Sequence, residues 1–270
     1  MNLENLTKQV ADLCKEVAVY ISSERSKFNS SFIEVKSKNS LVSHVDKTSE
    51  EMLVKGLKSI LPEAAFITEE ETIQQEDKEL KWVIDPLDGT TNFMHGIPVY
   101  AISIALIKNN DPIIGVVHEV NQNESFTAWK NGGSYLNGSP ISVAQNTSLE
   151  DSLVATGFPY YDYKKMKGYL GILEDLMQST RGIRRLGSAA VDLAYVSCGR
   201  FDSYFEYSLN AWDVAAGCLL VTEAGGKLND FRNGNDYIFG REIIASSNLV
   251  HEEMKAKVDN YFQQNHETNV

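Results

Sequence analysis

A chain of 270 residues, 43% hydrophobic and 23% charged, can fill one large domain or two halves that share an interface, and this composition excludes a disordered polypeptide. A net charge of -12 argues against an extended nucleic-acid or anionic-membrane partner, because there is no surplus of Lys and Arg to replace phosphate counterions. A phosphorylated small molecule remains compatible if metal ions supply positive charge locally.

The first segment reads as an amphipathic helix rather than a signal peptide, with Leu3, Leu6, Val10, Leu13 and Val17 spaced by three and four. A polar stretch over 28–43 predicts a loop or exposed strand. A second helix is expected from about Lys47 to Leu61, stopped by Pro62. The short apolar run AAFI ends in Glu69, Glu70 and Glu71, and an acidic loop follows to Glu79. KWVI predicts a buried strand that enters the stretch WVIDPLDGTTNF. Residues 100–107 and 112–120 are β-rich around a hairpin-like KNND, and 125–143 continues with turns at Gly132 and Asn137.

From there strands and helices alternate: DSLVATG, then the helix KKMKGYLGILEDLMQS, the strand RGIRRLG and the helix SAAVDLAYVSCG. FDSYFEY, the helix AWDVAAGCLLVTEAGG, the strand REIIAS and a helix over 249–262 complete the chain. The expected organisation is an α+β half over 1–146 and an α/β half over 147–270, forming one continuous structure. No apolar run approaches a membrane span.

Cys14, Cys198 and Cys218 are widely spaced among apolar neighbours and read as reduced, buried thiols of a cytoplasmic protein. His44, His95, His118, His251 and His266 form no zinc spacing and read as surface or loop residues. No P-loop is present. Tyr160, Tyr161 and Tyr163 are expected to edge a loop.

Candidate chemistry is concentrated in acids. Asp85 leaves a buried strand, and past a proline turn Asp88 can fold back to the same spot. Carboxylates held that close repel unless a cation lies between them, and all-oxygen ligation selects a hard ion such as Mg²⁺. Each acid also has a plain structural account: Asp88-Gly89 suits a turn, and Asp213 in a first helical turn complements the helix dipole. Acids at several strand ends and helix starts, including Glu69 and Glu206, favour a built site instead. Gly89, Thr90 and Thr91 add backbone donors suited to phosphate.

Three ordered motifs, TEE at Thr68, WVIDPLDGTTNF at Trp82 and AWDVAAGCLLVTEAGG at Ala211, are similar to those of the inositol monophosphatase family of Mg²⁺-dependent, Li⁺-sensitive sugar-phosphate phosphatases. The resemblance covers nearly the whole chain and implies a layered αβαβα sandwich of the inositol monophosphatase and fructose-1,6-bisphosphatase type. It implies that Glu69, Asp85 and the Leu87 carbonyl hold one metal, and that Asp85, Asp88 and Asp213 hold another. Two or three Mg²⁺ ions, or Mn²⁺, are expected. Thr90 would help Glu69 orient a water, with Asp46 behind Thr90. The Gly89 and Thr90 amides would hold phosphate, while Asp88, Asp213, Ser188, Ala189 and Glu206 would face the substrate. Lys36 is a further candidate, with Lys38 close by. Which of the three glutamates face the metals is open.

The implied function is hydrolysis of inositol monophosphate or a related polyol phosphate by a homodimer, with no nucleic-acid or membrane partner. Fructose 1,6-bisphosphate, NADP and adenosine 3′,5′-bisphosphate are alternative substrates, although the nucleotide branch carries Lys where Thr91 stands. The aspartyl-phosphate phosphatases, with their DxDGT motif, fit poorly because the spacing here is three with Pro86 between. A regulatory protein that kept the fold is the non-enzymatic alternative.

Overall fold

The computed structural model describes residues 1–27, 34–37, 40–42, 44–74, 76–159 and 162–262, with the backbone alone over 34–42. The first half runs α1 (Leu3–Lys27), β1 (Glu34–Ser37), β2 (Ser40–Val42), α2 (His44–Ile60), β3 (Ala65–Thr68), β4 (Leu80–Asp88), α3 (Thr90–His95), β5 (Ala101–Lys108), β6 (Asp111–Glu119), β7 (Glu124–Trp129), β8 (Gly133–Leu136) and β9 (Ser139–Ile141). The second half adds β10 (Leu153–Thr156), α4 (Met166–Ser179), β11 (Gly182–Arg184), α5 (Ala189–Ser197), β12 (Ser203–Tyr207), α6 (Ala211–Glu223), β13 (Lys227–Asn229), β14 (Glu242–Ser246) and α7 (His251–Phe262).

Two large sheets and three helical layers alternate. β3 to β9 form a seven-stranded sheet in sequence order, while the five-stranded sheet is ordered β11-β10-β12-β14-β13. Strand alternation places each side chain. Trp82, Ile84, Ile102, Ile104 and Leu106 face α1 and α2, whereas Val83, Ala101, Ala105 and Ile107 face α5 and α6. A third apolar cluster joins Phe205 and Ile244 of the smaller sheet to α4 and α7. The αβαβα expectation holds.

The outer helix α1 is amphipathic, burying Leu6, Val10, Cys14, Val17 and Ile21 on one stripe. The middle helix α6 is different: 214–221 are buried without a break, so it is apolar all round and lies between the sheets. Two glycines make this possible. A Cβ on Gly115 would stand 2.6 Å from the Ala216 carbonyl oxygen, and one on Gly217 would stand 2.5 Å from Leu193 Cβ of α5.

Several expectations are corrected. α2 begins at His44 rather than near Lys47, and the short edge strand β13 was not foreseen. His118 and His251 are buried, bonded to Ser125 Oγ and Asn229 Oδ1, rather than surface residues; polar partners within the fold offset their burial. Cys14 and Cys218 are buried free thiols, but Cys198 is only half-buried. Tyr163 lies in an exposed loop as expected, whereas Tyr160, Tyr161, His266 and Lys38 fall outside the described residues. No described helix is long and apolar enough to cross a membrane.

Candidate active site

The acidic residues converge because of strand pairing. β3 and β4 are parallel, unlike the antiparallel pairs that follow from β4 to β9, with Thr68 opposite Ile84. Glu69, just past the end of β3, and Asp85, within β4, therefore lie side by side one residue beyond that pair. The Glu69 amide donates to the Ile84 carbonyl at 3.3 Å and fixes that junction.

An odd spacing along a regular strand would send Asp85 and Asp88 to opposite faces. The chain avoids this with a bulge: Asp85 pairs with Ser103 and Asp88 with Ala101, so one residue is extra on β4. Pro86, which has no amide hydrogen to give the ladder, sits within it. Leu87 is consequently turned into the cluster beneath α1 and α2, and Asp88 returns to the side of Asp85.

Gly89 then reverses the chain at φ 93, where a Cβ would come 3.0 Å from the Val99 carbonyl oxygen. Asn92 fastens the turn by donating to the Val99 and Leu186 carbonyls, each at 2.8 Å.

Asp213 arrives from the other half. It stands in the first turn of α6 and accepts the Asn210 amide on Oδ2 at 2.7 Å. Ser103 Oγ donates to the Trp212 carbonyl at 3.1 Å, joining the start of α6 to β5. Asp85, Asp88 and Asp213 thereby present carboxylate oxygens that all lie within 4.8 Å of one another.

Each of these acids has one oxygen held by the chain. Leu87 N donates to Asp85 Oδ1 at 2.9 Å, while Ser188 Oγ and Ala190 N donate to Asp88 Oδ2 at 2.6 and 2.7 Å. The Thr90 hydroxyl lies 3.0 Å from both the buried Asp46 Oδ1 and the Leu87 carbonyl.

Burial, then the charges of Glu69, Asp88 and Asp213, hold the Asp85 carboxyl well above the usual carboxylate range. Burial lifts Asp88 to about 6 against its hydrogen-bond donors, and burial with the Asp88 charge lifts Asp213 to about 7. Glu206 is raised to about 8, chiefly by burial, although the Tyr204 hydroxyl donates to Oε2 at 2.6 Å. Such a group of oxygen donors has the composition a hard divalent cation requires, and a cation would relieve the mutual repulsion.

The cleft brings together Glu69, Asp85, Leu87, Asp88, Gly89 and Thr90 from the first half with Ser188, Ala189, Glu206 and Asp213 from the second. Of the three adjacent glutamates, Glu69 alone lines it. Asp46 sits behind Thr90. Ser188 lines the cleft and at the same time donates its hydroxyl to Asp88 Oδ2. Lys36 lies in β1, and its side chain is outside the described residues.

Sequence reasoning missed three charged residues. Glu50 of α2, fully buried, accepts Glu70 N at 2.7 Å, Thr72 N at 2.9 Å and Thr72 Oγ1 at 2.7 Å, which anchors the segment carrying Glu69. Asp192 and Arg185 also line the cleft. A lone acid inside the apolar run SAAVDLAYVSCG was the available signal for Asp192; Glu50, in a polar helix, gave none.

The profile of the inositol monophosphatase family matches residues 2–267. A Haemophilus influenzae protein named Nus factor SuhB is 42% identical over 221 residues, 82% of this chain and 83% of its own length. An inositol-1-monophosphatase from Mesorhizobium japonicum is 37% identical over 219 residues, 81% and 82% of the two chains. The crystal structure of the Bartonella henselae extragenic suppressor protein suhB superposes with a TM-score of 0.87 at 34% identity, covering 96% of this chain and 99% of that one. With the profile spanning the fold and every acidic motif, the chain belongs to the inositol monophosphatase family.

Proposed function

We propose that the protein is a Mg²⁺-dependent phosphomonoesterase acting on inositol monophosphate or a related polyol or sugar phosphate. The observation that carries this reading is the convergence of Asp85, Asp88 and Asp213, with oxygens within 4.8 Å, in the cleft lined by the Gly89-Thr90 turn. Glu69, Asp85 and the Leu87 carbonyl would hold one ion, and Asp85, Asp88 and Asp213 a second; the Leu87 oxygen keeps a lone pair beyond the one that Thr90 engages. When bound, the ions supply positive charge to the phosphate oxygens and raise the acidity of water. Mn²⁺ suits the same donors, and a third ion is part of the family pattern.

The remaining work belongs to the chain. Glu69 and Thr90 would orient the attacking water, with Asp46 fixing the direction of the Thr90 hydroxyl. The Gly89 and Thr90 amides would receive phosphate oxygens, and Ser188, Ala189, Glu206 and Lys36 would meet the rest of the substrate. One continuous unit, a cytoplasmic homodimer and Li⁺ sensitivity belong to the same proposal, on the family likeness.

The test is phosphate release from inositol 1-phosphate, fructose 1,6-bisphosphate, NADP and adenosine 3′,5′-bisphosphate with Mg²⁺, Mg²⁺ plus Li⁺, or EDTA, with Asp85→Asn alongside. Mg²⁺-dependent, Li⁺-inhibited release that disappears in Asp85→Asn is expected, fastest with inositol 1-phosphate. Release that persists in EDTA overturns the metal assignment. The name Nus factor for the H. influenzae relative favours a second reading, a regulatory binding protein on the same fold. Absence of turnover on every substrate, with metal still bound, would put that reading first.

A further inference from the structure

We propose that Asp192 is a specificity-determining residue that accepts a hydrogen bond from a hydroxyl of the substrate's polyol part, beside Glu206. This deepens the phosphatase reading and rests on it. Asp192 lies in the first turn of α5, is 1% exposed, and lines the same cleft as Glu206. Its Oδ1 is buried and receives no hydrogen bond from any described residue. Buried polar atoms are nearly always paired, so an unpaired one on the wall of a cleft calls for a partner from water, an ion or a ligand.

An aspartate in a first helical turn can be explained by the helix dipole alone. That benefit is equally available to a solvated side chain. Here the carboxyl is turned into the fold, on a helix whose other residues from 189 to 194 are buried and apolar. Burial, then the Glu206 and Asp88 charges, hold Asp192 well above the usual carboxylate range, with Arg185 opposing.

The Arg185 guanidinium lies 5.2 Å over the Phe158 ring and also lines the cleft. Two carboxyls against one guanidinium favour a neutral donor over a second phosphate. The ligand class is a monophosphate of a compound with several hydroxyls.

The experiment compares wild type, Asp192→Ala and Asp192→Asn on inositol 1-phosphate and on p-nitrophenyl phosphate, which has no hydroxyls beyond the ester. Binding of inositol 1-phosphate with Ca²⁺ in place of Mg²⁺ is followed by calorimetry. Asp192→Ala should lose roughly 10–100-fold in kcat/KM on inositol 1-phosphate, mainly through KM, the scale of losing one hydrogen bond and leaving its partner unpaired. It should change by less than about 2-fold on p-nitrophenyl phosphate, and the near-isosteric Asp192→Asn, which keeps an acceptor, should recover most of the loss. Binding should weaken by the same factor.

Wild-type enzyme with inositol phosphates that each lack one hydroxyl gives a measurement no folding defect can obscure: removing a single position should reproduce the loss. Equal losses on both substrates, no loss on either, or unchanged binding would overturn the proposal. If the wild type turns over neither substrate while binding still depends on Asp192, the phosphatase reading falls and the polyol contact stands. Turnover of p-nitrophenyl phosphate with no preference for the polyol gives the opposite result.

Discussion

On the side of the cleft built by β4 and the start of α6, Asp85, Asp88 and Asp213 each have one oxygen fixed by a backbone amide. On the side built by α5 and β12, Glu206 is held only by the Tyr204 hydroxyl and Asp192 Oδ1 by nothing described. The held acids can point only one way, which suits the fixed geometry of an ion. The other two leave acceptor capacity for a guest of variable shape. On the proposed reading, preorganisation falls where the charge of the ions would be placed, and adaptability where specificity would be read.

The largest way to break this contrast is to strike a held acid. Asp88→Asn should reduce turnover on the order of 10³-fold on every phosphate ester, the scale of losing a metal's charge stabilisation, whereas Glu206→Gln should lose activity unevenly among substrates. Parallel losses on all substrates for both variants would erase the distinction. One shell further out, Glu50→Gln, which loosens the anchor of the segment carrying Glu69, should weaken metal affinity by roughly 10–100-fold with the fold retained. Metal titration followed by calorimetry reads this directly.

A smaller effect tests the turn that carries Asp88. Gly89→Ala combines a left-handed backbone with a carbonyl contact and should cost about 1–3 kcal/mol. Gly138→Ala shares the positive φ but meets nothing within 4 Å, so it should cost less. Thermal melts of the pair separate strain from collision.

A further effect is on pH dependence. The Glu206 carboxyl sits near 8 in the folded protein against an ordinary 4.5, so the folded state holds more protons between those values, and stability falls as pH rises across that window. In EDTA, Glu206→Gln should flatten the decline of the melting temperature from pH 5 to 8. A slope unchanged by the substitution would place the titration elsewhere.

Much of the fold was legible because its signals are local. The stripe of α1, the apolar runs of β5 and β6 and the buried all-round character of α6 follow from residue order alone. Glu69 does follow the end of β3, but Asp85 and Glu206, expected to leave their strands, lie within β4 and β12. The bulge at Pro86 was not legible, although it explains why a spacing of three works, because a register shift exists only relative to β5. Glu50 was hidden for a similar reason. It sits beside Glu51 on a charged helix, and its partners come from the loop at 70–72. His118 and His251 looked like surface residues because a sequence does not display the polar group that makes burial affordable.

The tight seating of α6 carries one more consequence. The position of Asp213 depends on two missing methyl groups, at Gly115 on the sheet below and at Gly217 beside α5. A methyl at either would act as a shim, tilting the shaft of the helix and moving the acid at its tip. Gly217 faces Leu193, the neighbour of Asp192, so the same shim would disturb both sides of the cleft at once. Lesions at these glycines should yield temperature-sensitive variants: folded in the cold, with the two sides of the cleft out of alignment, and inactive before they melt.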